Sequence, residues 1–177
     1  APSPAGLDEV AIGDDDEHSE QHIPINVSKP FSGYVFKTTI DQFSGKLSFL
    51  KVVTGKLFPD GEAVKYGEGR KERFTKVYSA VGKKLVEEPE VVAGDLCVVT
   101  KVASAHTNDT FHDPTFAVHY KPLALPQPIF SVAITGESKK DEDKIGEQLS
   151  RMVEQDHTLR LEFNPETKEN VFSGMGE

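Results

Sequence analysis

The sequence predicts two domains, the first all-β and the second α+β. Three observations carry this. Short strand-like runs recur from Phe31 to Thr100, with turn signals and no helical stretch between them. A proline-rich connector, "YKPLALPQP" at 120–128, then interrupts the pattern. Beyond it the order becomes strand, helix, strand, strand.

The elements follow along the chain. Residues 1–29 show little apolar periodicity and contain a "DDDE" run, so they read as an extended acidic linker. The acid run Asp14–Asp16 lacks the interleaved glycine and spaced carboxylates of a calcium loop and is taken as solvated linker. Next come the runs "FSGYVFKTTI", "GKLSFLKVV", "GEAVKY", "RKERFTKVYSAV" and "VVAGDLCVVT". The turns between them are "SGK" at 44–46, "PDGE" at 59–62 and "AGD" at 93–95. Gly61 is expected to take a positive φ in a tight hairpin, and Gly94 with Asp95 to shape a barrel turn. Strands at this spacing suit a closed barrel or a sandwich, assigned to residues 30–125.

Residues 126–177 form the second domain. In "IFSVAITG", Phe130, Val132 and Ile134 alternate with Ser131, Ala133 and Thr135, as in a strand. Ile145, Leu149, Met152 and Val153 then make one apolar helical stripe. Ser138 followed by Asp141 resembles a capping box, and Asp141, Glu142 and Asp143 sit where the helix dipole favours acids. "LRLEFN" and "NVFSG" read as a hairpin around "PETKE". Three strands and one helix leave part of a sheet face bare, and the natural completion is a ferredoxin-like unit. The chain therefore reads as a truncated piece of something longer at both ends. Gly174 and Gly176 are expected to permit close backbone packing near a domain interface.

Composition narrows the class. The chain is 37% apolar with eleven Phe and no Trp, enough for a packed core. No apolar run approaches the roughly 18 residues of a membrane span, and no signal peptide is visible. Cys97, the one cysteine, lies in "DLCVVT" and reads as a small core residue. It forms no internal disulfide, which fits a reducing, cytoplasmic compartment. The net charge of −9 is unevenly spread. Residues 1–28 hold seven acids and no Lys or Arg, residues 29–128 hold 14 basic and 11 acidic groups, and residues 129–177 hold six and eleven. A polyanionic partner is thus not excluded, because the local surface governs counterion release.

Catalytic motifs are absent from the sequence. "TGKL" at 54–57 and "SGKLS" at 44–48 lack the rest of a phosphate loop. His106 and His112 are too far apart for the usual zinc spacing and read as loop histidines. "DTFHD" at 109–113 is explained by a polar turn. The best binding candidate is "YGEGRKERFTKVY" at 66–78, where Arg70, Lys71, Arg73 and Lys76 interleave with aromatics. On a strand, Lys71 and Arg73 share one face, and Phe74, Lys76 and Tyr78 the other. Such cations contact RNA phosphates without reading sequence.

Taken together, "PFSGYVFKTTIDQFSGKLSFLKVVTGKLFPDGEAV", "GRKERFTKVY", "VVAGDLCVVT", "TNDTFHD", "LPQPIFSVAI" and "DEDKIGEQLSRMVEQDHTLRLEFNPETKENVFSGMGE" resemble elongation factor G and related translational GTPases. The resemblance covers residue 30 onward. It implies a translation-factor-type antiparallel β-barrel, the family's second domain, followed by a truncated ferredoxin-like βαββ start of the third. It also implies ribosome docking and relay between the GTPase domain and the small subunit during translocation. The implied partners are small-subunit rRNA, a small-subunit protein and the GTPase domain of the parent chain, with no membrane. GTP and magnesium are implied for an upstream domain and no cofactor for these residues. Two departures stand out. The family's "HAN" and "REE" signature is here "SAVGKKLVEEPE", and the usual "TGDT" is "TNDT", with Asn108 at the glycine. These leave a ribosome-protection paralogue, or an adaptor that kept the barrel without a nucleotide cycle, as alternatives.

Overall fold

The computed structural model describes residues 4, 6–13, 16–41, 43–82, 84–136 and 138–176. The chain divides into two compact units, Ala1–Leu123 and Ala124–Glu177.

Unit 1 holds thirteen strands among its described residues. They are β1 (Asp8–Gly13), β2 (Asp16–Pro24), β3 (Ser32–Asp41), β4 (Gly45–Thr54), β5 (Lys56–Leu57), β6 (Gly61–Lys65) and β7 (Lys71–Phe74). Then come β8 (Val77–Val81), β9 (Lys84–Glu87), β10 (Val91–Val92), β11 (Leu96–Thr100), β12 (Thr110–His112) and β13 (His119–Tyr120). Eight of them form an antiparallel sheet in the order β7-β6-β12-β3-β4-β11-β8-β9. This order forces the sheet to curl. β7 and β8 are six strand spacings apart, roughly 29 Å if the sheet were flat. Yet Phe74 ends one and Val77 starts the other, so three backbone steps, roughly 10 Å at most, must join them.

Alternation along the curled strands fills the interior. Val35, Leu50, Val52, Phe74, Val77, Cys97, Val99 and Phe111 belong to one buried cluster. Phe74 stands edge-on to Phe111 at 5.4 Å and to Phe31 at 6.3 Å, a favoured aromatic geometry. Burial pushes the Cys97 thiol pKa up to about 12, as suits an inert core residue.

The N-terminal segment departs from the linker expectation. β1 pairs with both β2 and β13, making a separate three-stranded sheet over residues read as linker. Its anchor is Ala11, 2% exposed, clustered with Val53, Val118 and Tyr120, with Ile23 and Ile25 packed against them. Glu9 adds an ion pair to Lys51 of β4. The acid-rich composition that suggested a solvated linker thus belongs to a hairpin anchored by Ala11 and Ile23. Asp14 and Asp15 of the acid run lie outside the described residues.

The "PDGE" turn differs too. Asp60 takes the positive φ, 61°, and not Gly61. Gly61 is required for space, because a Cβ there would stand 2.8 Å from the Phe58 carbonyl oxygen. β5 and β6 are not hairpin partners: β5 pairs with β10, and β6 with β7 and β12. The turn redirects the chain between two ladders.

Unit 2 contains β14 (Phe130–Ile134), α1 (Lys139–Gln155), β15 (Arg160–Asn164) and β16 (Glu169–Gly174). The sheet order is β14-β16-β15, all antiparallel, the split βαβ arrangement that the sequence predicts. Ser138 caps α1, its Oγ accepting from the Asp141 amide and donating to the Asp141 carboxylate. Ile145, Leu149 and Val153 of the helical stripe are half-buried, and Met152 is exposed. One sheet face carries Val132, Phe172 and Leu161 in register, and Phe130, Val132 and Phe163 on that face remain exposed.

Phe74→Ala removes the ring shared by both aromatic contacts. It should destabilise unit 1 by about 3–5 kcal/mol, read as a lowered denaturant midpoint in the far-ultraviolet dichroism.

Candidate nucleic-acid interface

The basic stretch does not form one strand. β7 stops at Phe74, and Thr75 and Lys76 carry the chain across to β8. Phe74 and Val77 are both fully buried, so the stretch is pinned on either side of Lys76. Lys71 and Arg73 do share the outward face of β7, while Glu72 and Phe74 turn inward. Phe74, Lys76 and Tyr78 do not share a face, because the link between the strands breaks the alternation.

Carboxylates meet most of these cations. Arg70 Nε lies 2.9 Å from Glu72 Oε1, which also accepts from Ser104 Oγ at 2.7 Å. Arg73 donates through Nε at 3.1 Å and Nη2 at 2.9 Å to one oxygen of Asp60. Lys76 Nζ reaches Glu87 at 2.8 Å, and that hydrogen bond holds the ammonium above its usual range. These pairs are solvent-exposed apart from Glu72, so each contributes little stability. Their effect is on the surface field, where each carboxylate offsets the cation beside it. Lys71 has no ion pair among the described residues.

A tighter charge cluster, not singled out from the sequence, lies one strand inward. Lys65 at the end of β6 has a side chain only 10% exposed. Its Nζ donates to Ser104 O at 3.0 Å and pairs with Glu68 at 2.7 Å and Asp109 at 2.9 Å. Burial alone would lower its pKa, but the hydrogen bonds to Glu68 and Asp109 outweigh it and raise it. Asp109 in turn accepts from the His106 amide at 2.7 Å. The cluster fixes the "TNDT" turn to β6. A buried lysine leaves no periodic signal, because it looks like any strand cation in one dimension.

Asn108 in that turn takes φ 76°. Its side chain also pairs with backbone that follows β13: Leu123 N donates to Oδ1 at 2.9 Å, and Nδ2 donates to Leu123 O at 3.4 Å. A glycine would allow the same φ but not this clamp. Among the other turn residues, Gly94 takes φ 98°, with its amide on Val52 O at 2.8 Å. The Asp95 amide donates to Val92 O at 3.1 Å, and its carbonyl accepts from the Val52 amide at 3.0 Å. At Gly174 a Cβ would meet Leu159 at 3.2 Å, whereas nothing lies within 4 Å of one at Gly176. Close packing therefore fits Gly174 and not Gly176.

His112 is not in a loop but buried in β12, its Nδ1 2.9 Å from Asp113 O. His119 stacks on Tyr66 with ring centres 4.3 Å apart. Among the described residues no three His, Cys, Asp or Glu side chains converge as metal ligands.

Comparison with known proteins completes the description. Residues 30–114 match the model of elongation factor G domain 2, and residues 125–177 that of elongation factor G, domain III. A crystal structure of a Thermus thermophilus protein superposes with a TM-score of 0.70 at 30% identity. The match covers 84% of this chain and 23% of that one, so this chain spans about a quarter of its length.

Asn108→Gly should keep the turn and lose the clamp. Hydrogen exchange at the Leu123 amide should then speed up roughly ten-fold, the equivalent of about 1.4 kcal/mol, with the β3–β4 ladder unchanged.

Proposed function

Carrying elongation factor G domain 2 followed by domain III, the chain belongs to the elongation factor G family of translation factors, and we propose that it is the ribosome-docking and relay part of a GTP-dependent factor. The single observation behind this reading is the succession of the two domain matches, in that order, on one chain. In this reading unit 1 docks on small-subunit rRNA, and unit 2 relays between a small-subunit protein and a GTPase domain. It is work in the cytoplasm, where translating ribosomes are.

GTP and magnesium belong elsewhere in this scheme. The Gly-Lys pairs at 45–46 and 55–56 do not fit a nucleotide. Gly55 donates its amide to Asn26 O at 2.9 Å, and a Cβ there would stand 2.6 Å from the Phe31 amide nitrogen. Gly45 and Lys46 begin β4 just after the β3–β4 turn, and Lys46 Nζ donates to Ala103 O at 3.1 Å. Neither offers the row of free amides that cradles a phosphate. We assign the nucleotide to a further domain of the factor.

Arg70, Lys71, Arg73 and Lys76 are proposed as phosphate contacts. Three of them must exchange a carboxylate partner for a phosphate on docking. That exchange would make binding salt-dependent without making it sequence-specific. The Asn108 clamp and the "SAVGKKLVEEPE" segment, which forms much of the β8–β9 hairpin, favour a specialised paralogue, such as a ribosome-protection factor, as the second reading.

The chain should co-sediment saturably with purified small ribosomal subunits, and its affinity should fall as salt rises. Absence of retention above an equally acidic control protein would remove the docking role. Arg70→Glu with Arg73→Glu should weaken binding and flatten the logarithmic salt slope by about two. An unchanged slope takes β7 out of the interface.

A further inference from the structure

Away from the basic stretch, the tip of the β3–β4 hairpin presents an aromatic ring to solvent. Phe43 is 96% exposed, the most exposed large apolar side chain among the described residues. The backbone at Phe43 and Ser44 is nonetheless held. Asp41 Oδ1 accepts from the Phe43 amide at 3.0 Å and the Ser44 amide at 2.7 Å, and Gly45 takes φ 74°. Those backbone hydrogen bonds, from Ser44 first and Phe43 second, hold the Asp41 carboxyl below its usual range, so it stays ionised at neutral pH. A ring that could fold back would gain burial, but this turn holds it outward.

Beside the ring runs a groove of about 620 Å³ between the β3–β4 tip and the β8–β9 hairpin. Ile40, Leu47, Phe49, Ala80 and Leu85 line it with Phe43. It adjoins a second hollow, sharing Ser44 and Leu85, that is walled by Tyr78, Thr100 and Lys101. Register explains the convergence. Lys37 pairs with Phe49, Phe49 with Val98, Val98 with Tyr78 and Tyr78 with Glu87, so these five stand in one row. The row lies on the opposite face of the strands from Leu50, Val99 and Val77 in the core.

Two exposed cations flank this surface. The side chains of Lys37 at the end of the row and Lys101 beside the second hollow have no ion pair or hydrogen bond among the described residues. The acids nearby are already engaged, Asp41 in the turn and Glu87 with Lys76. The surface thus pairs accessible aromatic rings with uncompensated lysines, whereas the basic stretch is largely neutralised by Glu72, Asp60 and Glu87.

We propose that this hairpin-tip groove binds unpaired nucleotides of an RNA, with the Phe43 ring as a stacking platform and Lys37 and Lys101 on the flanking phosphates. Aromatic stacking with backbone cations is the chemistry by which single-stranded nucleic acid is held without hydrogen-bond readout. The inference rests on the ribosome-docking reading and locates the contact within it.

The test uses the full chain with a short single-stranded RNA, a duplex RNA of equal length, and small ribosomal subunits. The single strand should bind more tightly than the duplex. Phe43→Ala should weaken single-strand binding about ten-fold with the salt slope unchanged, and Phe43→Trp should restore it. Lys37→Gln with Lys101→Gln should flatten the slope by about one to two. Because Phe43 supports no core contact, its substitution should leave the thermal midpoint in place. If wild type binds subunits and Phe43→Ala binds them and single-stranded RNA equally well, the groove is not the contact, although docking stands. If wild type binds neither RNA nor subunits, the docking reading fails and the groove with it. Preference for duplex, or binding only to a ribosomal protein, overturns the stacking role.

Discussion

The two-residue link between Phe74 and Val77 is the constraint on which unit 1 depends. It ties together strands that lie six spacings apart in the ladder order, and only a curled sheet satisfies it. Both residues flanking the link are fully buried, so the ends of the tie are held by packing as well as by covalent geometry. Curling brings Phe31, Phe74 and Phe111 to one place although they lie on separate parts of the chain. The same curl sets where chemistry can sit. Once the interior is filled by alternate residues, every charged group must stand on the outer face or pair within a cluster such as Lys65 with Asp109 and Glu68.

That outer face is electrostatically uneven for a local reason. On β6 and β7 antiparallel pairing puts Glu62 opposite Arg73, and the preceding turn brings Asp60 to the same guanidinium. Cations that look clustered in sequence are therefore interleaved with acids from neighbouring strands. The β3–β4 tip extends beyond this ladder, with Asp41 in its own turn already bonded to backbone amides. Lys37 and Lys101 near it have no side-chain ion pair among the described residues. A count along the chain ranks the two surfaces in one order, and the field in three dimensions ranks them in the other.

Much of the architecture was legible in one dimension. The strand runs from Phe31 to Thr100, the connector and the strand-helix-strand-strand order all rest on period and on turn residues, and these act locally. What escaped was long-range. The β1–β2 hairpin holds to the barrel through Ala11 and Glu9, whose partners Tyr120 and Lys51 lie far along the chain, and its own acids suggested the reverse. In "PDGE" the glycine was visible, but not that Asp60 would take the left-handed φ while Gly61 clears a carbonyl. For the candidate interface, the four cations were readable and their carboxylate partners were not, because Asp60 and Glu87 come from outside β7. Phe43 was hidden for the opposite reason. Nothing in "DQFSGK" distinguishes a ring that folds inward from one that an Asx turn holds outward.

Exposing a phenylalanine forfeits the favourable burial that a core position gives, on the order of 1.5–3 kcal/mol. A small open sheet could not easily carry that loss, since a similar amount is a large share of its net stability. A larger curled sheet can, because its stability resides in a cluster that the hairpin tip does not touch. The Asp41 turn is anchored on two long paired strands of ten residues each. Rigidity matters for a surface that meets a folded RNA. Backbone already held before contact loses little conformational freedom on binding, so more of the stacking energy appears as affinity. The curl that hides three aromatic rings in the core is thus what permits a fourth to stand in water.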